Sequence, residues 1–387
     1  MVHELWSEGS QPRDPLKNKE ATLVESAPLP SNTIRVRADD ARRFVREVFV
    51  AAGFSSADAE LVADVLVAAD LRGVRSHGVA RVGYFMVRVE RGTLNPNPAF
   101  TMTMGASTTG LLDADNGLGI VASAVAMDRA IELAEEFGSG FIAVANSNHF
   151  GFAGYWAERA MERNCLGISM SNSARRVTPT FGDESLLGTN PLSVALGGGS
   201  AGTNFVLDMA TSAVAVGKIE TALREDRPVP ESWVSRASGE PTLDDRGILS
   251  YDSPLLPLGG EGDESGGHKG FGLNLMVELV CGALSGTPLA DRIAGATGQL
   301  PAAMCHFMGA IRLDGFRPSE DVHRSMGDTF GIVRGAKKSP GHDRIFIPGE
   351  PEQIARVENN NLGIPITRPV REDLERVAET YAIMVPW

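Results

Sequence analysis

Cysteine is scarce: Cys165, Cys281 and Cys305 are the three in 387 residues, an odd number with no C-x-x-C pair. That excludes a disulfide framework or a zinc ribbon, and buried, reduced thiols are expected. No stretch approaches the roughly 18 consecutive apolar residues of a membrane span. The first thirty residues, with Glu4, Glu8, Asp14, Lys17 and Lys19 dispersed through them, lack a secretory apolar core. A soluble, cytoplasmic protein with no membrane partner is expected. Positive charge is also in deficit, 36 Lys plus Arg against 49 Asp plus Glu. The net charge of −13 repels phosphate backbones, so nucleic acid is not an expected partner. Histidines are few, seven in all, with no H-x-x-x-H or H-E-x-x-H pair. No metal site is therefore expected.

What remains is a chain that is 43% hydrophobic, ample for a sizeable core. Residues 1–33 are polar, proline-dotted and aperiodic, the composition of a tail. From Asp39 the apolar residues recur at helix spacing: Phe44, Val45, Val48 and Phe49, then Leu61, Val62, Val65 and Leu66 after the capping run Ser55-Ser56-Ala-Asp-Ala-Glu. A third helix is expected over Ala80–Arg91, beginning near Gly78 with Ser76 as its N-cap. Beyond Asn95-Pro-Asn-Pro the period shifts toward two. Strands are expected at 101–104, 111–113, 140–146, 166–170, 204–208, 307–313 and 344–347. Helices are expected at 120–136, after Gly154, and at 269–284, 319–333, 351–359 and 370–385. Alternating strands and helices predict an α/β layer architecture. Pro228–Gly267 reads as a long loop of the kind that covers a site.

Five segments could carry chemistry. In Arg75-Ser-His-Gly-Val-Ala-Arg81, His77 and Arg81 lie four apart, so an arginine fork and a titratable ring face one side. A carboxylate held by Arg81 would place the adjacent carbon's oxygen at His77 for proton exchange. A capping serine and two surface residues would explain the same spacing. Asn146-Ser-Asn-His-Phe-Gly-Phe-Ala-Gly154 sits between a strand and a helix, where small residues permit close backbone approach to a phosphate or nicotinamide. Gly188-Thr-Asn-Pro191 and Leu207-Asp-Met-Ala-Thr-Ser212 are polar clusters at strand ends, with Gly217-Lys-Ile219 shortly after. Gly266-Gly-His-Lys-Gly-Phe-Gly272 opens a helix with one cation, without the P-loop spelling. Arg344-Ile-Phe-Ile-Pro-Gly-Glu350 ends in a Pro-Gly turn. The run Gly117-Leu-Gly-Ile-Val-Ala122 matches G-x-G-x-x-A formally but lacks the acid about 20 residues on that a Rossmann site requires.

Taken in order, Arg75–Arg81, Asn148-His-Phe-Gly151, Gly188–Pro191, Asp208–Ser212, Gly217–Ile219, Gly267–Leu273 and Ile347-Pro-Gly-Glu350 resemble the type-2 malate/L-lactate dehydrogenase family over about residues 35–385. The resemblance implies a homodimeric oxidoreductase using NAD or NADP, with a non-Rossmann α/β fold: a mixed-sheet cofactor domain and a helical N-terminal subdomain joined by the C-terminal helices. In these terms 34–105 plus 340–387 form the substrate-side domain and 106–339 the cofactor domain. By position, His77 corresponds to the proton donor and acceptor, Ser76 to its relay partner, Arg81 to the carboxylate anchor and His149 to a second catalytic histidine. Thr189 or Asn190 corresponds to a substrate-side contact. Phe150, Gly151, Asp208, Met209, Ala210, Lys269, Pro348 and Gly349, with His149, correspond to cofactor-contacting segments. Lys218 joins the catalytic candidates and stands where imine-reducing members carry Asp, which favours a small 2-hydroxy/2-oxo acid of malate or lactate type. A cyclic-imine or N-substituted amino-acid reductase, or a non-catalytic cofactor-binding protein, are the alternatives. The loop 259–267 is longer than in many members, and the tail before residue 34 has no counterpart.

Overall fold

A computed structural model describes residues 32–198, 202–224, 227–235, 240–243, 249–250, 253–287 and 300–387. The expected tail lies almost wholly outside them, as does part of the 228–267 loop. The fold opens with β1 (Ile34–Val36), α1 (Ala38–Ala51) and α2 (Ser56–Leu71). Asp39 and Asp40 favour the positive start of α1, whose buried stripe is Phe44, Val45, Val48 and Phe49. Ser55 caps α2, accepting from the Asp58 amide at 3.1 Å.

The third helix departs from expectation. Two separate 3-10 turns, Arg75–His77 and Val79–Arg81, precede α3 (Val82–Glu90), and Gly78 between them is extended. Ser76 is therefore no N-cap. Its turn is too tight to run into the helix, and its hydroxyl is turned to a different task.

Next come β2 (Thr101–Ala106), β3 (Thr109–Asp113), α4 (Gly119–Phe137), β4 (Ser139–Ser147), α5 (Ala153–Met161) and β5 (Cys165–Ser171). They are followed by β6 (Leu192–Leu196), β7 (Phe205–Met209), α6 (Val216–Arg224) and α7 (Gly267–Glu278), whose end widens into a π-helical turn over Leu279–Ala283. The chain closes with β8 (Met304–Arg312), α8 (Ser319–Gly335), α9 (Glu350–Leu362), β9 (Ile364–Ile366) and α10 (Arg368–Tyr381). Strand β6 escaped the sequence reading. Conversely, Arg344–Ile347 belongs to no strand: Arg344 stacks on Phe346 at 4.3 Å and pairs with Glu350, so side chains rather than a ladder order it.

The central sheet runs β2-β3-β4-β8-β5-β6-β7. Only the β3–β4 pair is parallel; the other five are antiparallel. That mixed topology is not doubly wound, as the non-Rossmann expectation required. Glycine at 119 is a packing requirement, since a Cβ there would strike the Asn148 carbonyl. The G-x-G-x-x-A match thus seats α4 on the turn that carries His149. A small antiparallel pair, β1 with β9, ties the N-terminal helices to the C-terminal ones. One apolar cluster runs from Val36, Phe49 and Val65 through Ile120, Trp156 and Met308 to Leu374. The helices that carry residues 75–81 and the sheet that carries His149 therefore share a core.

Candidate active site

The site forms where the Arg75–Arg81 turns meet the exit of β4. The rings of His77 and His149 lie 5.3 Å apart, centroid to centroid, at 34°. Residues 72 positions apart in the chain are thereby brought together. Ser76 Oγ and His77 Nδ1 share a hydrogen bond of 2.8 Å. Arg81 Nε donates to the Ser76 carbonyl at 2.6 Å, so the serine's backbone orients the guanidinium while its side chain orients the imidazole. Tyr84, one turn into α3, places its ring 6.0 Å from the Arg81 guanidinium and 4.8 Å from that of Arg88. Tyr84 and Phe85 stand edge-on to the His149 ring at 6.0 and 6.1 Å.

Beneath this turn sits a buried acid that the sequence reading missed. Asp70, 3% exposed at the end of α2, accepts the Val79 amide at 2.8 Å through Oδ2. A Cβ at Gly78 would run into this carboxylate, which fixes glycine there. Its signal was available: an aspartate set among the apolar residues Leu66, Val67, Ala69 and Leu71 of the helix's buried face. Burial raises its pKa to about 7, against the lowering by the Val79 amide and the Arg75 charge. His77 keeps an opening to solvent but is enclosed by protein on most sides. That enclosure, with the positive charge of Arg81, pushes it down to about 3, so the ring rests neutral. His149 is likewise held well below its ordinary value by burial first, then by Arg81, His77, His306 and Arg88.

His149 is braced from behind. Its Nδ1 accepts the Gly151 amide at 3.2 Å. Gly151 has φ +85°, and a Cβ there would press on Val65, so only glycine makes this turn cleanly. On one side, buried Asn148 donates to the Asn116 and Gly117 carbonyls at 2.9 and 3.0 Å. On the other, buried Phe150 stacks on His306 at 4.7 Å and 7°. His306, wholly buried in the middle strand β8, bonds Ser147 Oγ at 2.9 Å, the Asn148 carbonyl at 3.1 Å and Ser171 Oγ at 2.9 Å. Burial lowers it to about 3. No motif signalled this residue.

The remaining candidates divide. Thr189 and Asn190 lie together with Thr211, whose amide and hydroxyl bond the Thr189 carbonyl and whose hydroxyl also reaches that of Asn190. Asn190 is fully buried, its side chain bonded to the Ser173 amide, Asn274 and Glu278. It anchors α7 to the sheet. Asp208, near the end of β7, accepts the Gly154 amide at 2.8 Å and so occupies the start of α5. The Gly154 amide, one of the donors expected to face a phosphate or nicotinamide, is thus taken by a carboxylate. Among the described residues its second oxygen accepts no hydrogen bond. The Pro348 carbonyl accepts the Val206 amide at 3.0 Å and Gly349 is the residue before α9, which sets the Pro-Gly turn beside the end of β7 that leads to Asp208, Met209 and Ala210. Lys218 and Lys269 are exposed in the first turns of α6 and α7, and no hydrogen bond or ring contact joins either to the histidine pair. Glu220, also on α6, contributes a negative field at Arg81, so that helix lies toward the guanidinium. Among the described residues no group of His, Cys, Asp and Glu could hold a metal ion, and no helix is long and apolar enough to cross a membrane.

The family model for malate/L-lactate dehydrogenase matches residues 36–375. The malate dehydrogenase of Pyrococcus abyssi is 38% identical over 361 residues, covering 93% of this chain and 99% of that protein. The L-sulfolactate dehydrogenase of Methanocaldococcus jannaschii is 31% identical over 90% of this chain and 98% of its own. The solved structure of malate dehydrogenase from Pyrococcus horikoshii OT3 superposes with a TM-score of 0.84 at 35% identity, covering 93% and 99% of the two chains. With the mixed sheet and the ordered motifs of the site, these matches place the chain in the malate/L-lactate dehydrogenase family.

Proposed function

We propose that the protein interconverts a small 2-hydroxy acid and its 2-oxo acid with NAD or NADP, malate and lactate being the first substrates to test. The observation that carries this reading is the meeting of Ser76, His77 and Arg81 with His149 at one place in the fold. Arg81 spends Nε on the Ser76 carbonyl, leaving its two terminal nitrogens for the substrate carboxylate. His77, neutral at rest, accepts the hydroxyl proton as the 2-hydroxy acid is oxidised and returns it in reduction. In the tautomer that frees Nε2 for this, Nδ1–H donates to Ser76 Oγ. A bound carboxylate beside Arg81 offsets the positive field on His77 and eases its protonation.

A nicotinamide dinucleotide would supply or take the hydride. The residues fit such a group at Asp208, whose free oxygen can accept from a ribose hydroxyl, with Met209, Ala210, Pro348 and Gly349 around it and Lys269 as a cation for phosphate. In this reading the helical part supplies the acid–base and carboxylate groups, the sheet part holds the cofactor, and two copies assemble as a homodimer in the cytoplasm.

The test is absorbance at 340 nm with NADH or NADPH and a panel of 2-oxo acids that includes one cyclic imine. Turnover of an oxo acid is expected; turnover of the imine alone would refute the assignment. His77→Ala should lower kcat by about 100-fold with cofactor affinity retained. Arg81→Ala should act through KM, roughly 10-fold or more, as the loss of a charged hydrogen bond requires. A preserved KM would remove the clamp.

A further inference from the structure

We propose that His149 is a fixed hydrogen-bond donor, presenting Nε2–H to the carbonyl oxygen of the bound 2-oxo acid, rather than a second acid–base group. The proposal rests on the activity above and assigns the two histidines different work.

The argument lies in their partners. His149 Nδ1 faces the Gly151 amide at 3.2 Å. A backbone amide can only donate, so Nδ1 must be the acceptor and the ring proton must sit on Nε2. Gaining a second proton would turn that bond into a clash of two N–H groups. His77 Nδ1 instead meets the Ser76 hydroxyl at 2.8 Å. A hydroxyl donates or accepts, so His77 can change tautomer or charge with the bond intact. One ring is built to exchange a proton and the other to keep it.

The surroundings of His149 agree. The Gly151 turn that delivers the amide is fixed by its positive φ and by Val65 behind it. His306 pins the Asn148 carbonyl on one side and stacks on Phe150 on the other, so the backbone on both flanks of His149 is held. Tyr84 and Phe85 box the ring edge-on. Burial and the neighbouring Arg81 and Arg88 disfavour the cation. A neutral donor held in a dry, preorganised pocket stabilises charge developing on a carbonyl oxygen.

The chemistry balances with one titrating histidine. In reduction a hydride, which a bound reduced nicotinamide would supply, forms the C2–H bond, and the C=O π pair moves onto oxygen. That oxygen takes its proton from His77, and the His149 proton remains on Nε2 throughout. Oxidation runs the same steps backward.

Two measurements test this on the full-length protein. The first is 15N NMR of the histidine rings from pH 6 to 9, with His149 assigned by loss of its signals in His149→Gln. A neutral Nε2–H tautomer unchanged across the range is expected; an Nδ1–H tautomer or a cation near neutral pH overturns the proposal. The second compares His149→Gln, which keeps an N–H donor, with His149→Leu, which does not. Leu should lower kcat by about 100-fold, the cost of removing one such donor. Gln should recover most of that loss and leave the shape of the kcat/KM pH profile unaltered, with cofactor Kd unchanged in both. Loss of an ionisation in His149→Gln would make His149 an acid–base group. Equal activity of the two variants would make it packing, and a change confined to cofactor Kd would move the bond to the nicotinamide. If wild-type protein turns over no 2-oxo acid, the proposed activity and the substrate end of this bond fall together, whereas the ring tautomer is still decided by NMR.

Discussion

Asp70 and the three site histidines respond to pH in opposite senses. The acid's pKa rises from 3.8 to about 7 on burial, so the folded state holds a proton that the unfolded chain releases above pH 4. Its contribution to stability is therefore full below pH 4 and declines as pH rises to 7. His77 and His306 fall from 6.5 to about 3, and their contribution, present above pH 6.5, is lost as pH falls toward 3. An Asp70→Asn variant isolates the first effect, because asparagine can still accept the Val79 amide and has no charge to bury. Denaturant melts at a series of pH values should show the variant gaining on wild type between pH 4 and 7, then running parallel above. A difference that stays constant with pH would mean that Asp70 titrates normally. The same residue marks how far a sequence can be read. His77 and Arg81 announced themselves by a spacing of four, but the acid that holds their turn lies seven residues earlier and meets it only through the fold.

At the scale of elements, long periodic segments were legible and short or exceptional ones were not. Helix α4, 19 residues with an apolar face closed by a left-handed glycine, falls within a residue of its expected limits. Strand β6 has five residues between Pro191 and Gly197, too few for an alternation to stand out. The three-residue strands β1 and β9 exist only because they pair with each other across the chain. Arg344–Ile347 has strand-like residues but no neighbour to complete a ladder. The start of α4 shows how an element positions chemistry, for it packs glycine to backbone on the turn that carries His149. Gly119→Ala should destabilise by about 1–3 kcal/mol, the usual cost of overpacking, and should reduce turnover as that turn shifts. Gly272→Ala on α7 is the contrast: the site is exposed with no atom near the added carbon, so a gain of about 0.5–1 kcal/mol from helix propensity is expected. Thermal unfolding of both variants checks the pair, and similar shifts in the two would show that close approach at 119 is not the constraint.

For the whole molecule, sequence order told which motifs belong together but not which of them touch. The histidine pair, the Asp208–Gly349 surface and the Asn190–Glu278 core are three separate assemblies, and only burial tells the structural one from the other two. Burial also bears on assembly. The end of α7, its π-helical turn and the residue after it expose Met276 at 36%, Leu279 at 47% and Leu284 at 61%, three large apolar side chains within nine residues. Such a patch on a chain of net charge −13 calls for a cover, and in the homodimer proposed above the cover is a second copy. Light scattering of the purified protein should give twice the mass of the 41.1 kDa chain. Charged substitution at the exposed positions, Leu279→Glu with Leu284→Glu, should shift it toward the monomer without unfolding it, because neither side chain is buried within its own subunit. A wild-type monomer at micromolar concentration would refute the dimer, and a double variant that stays dimeric would place the interface on another face.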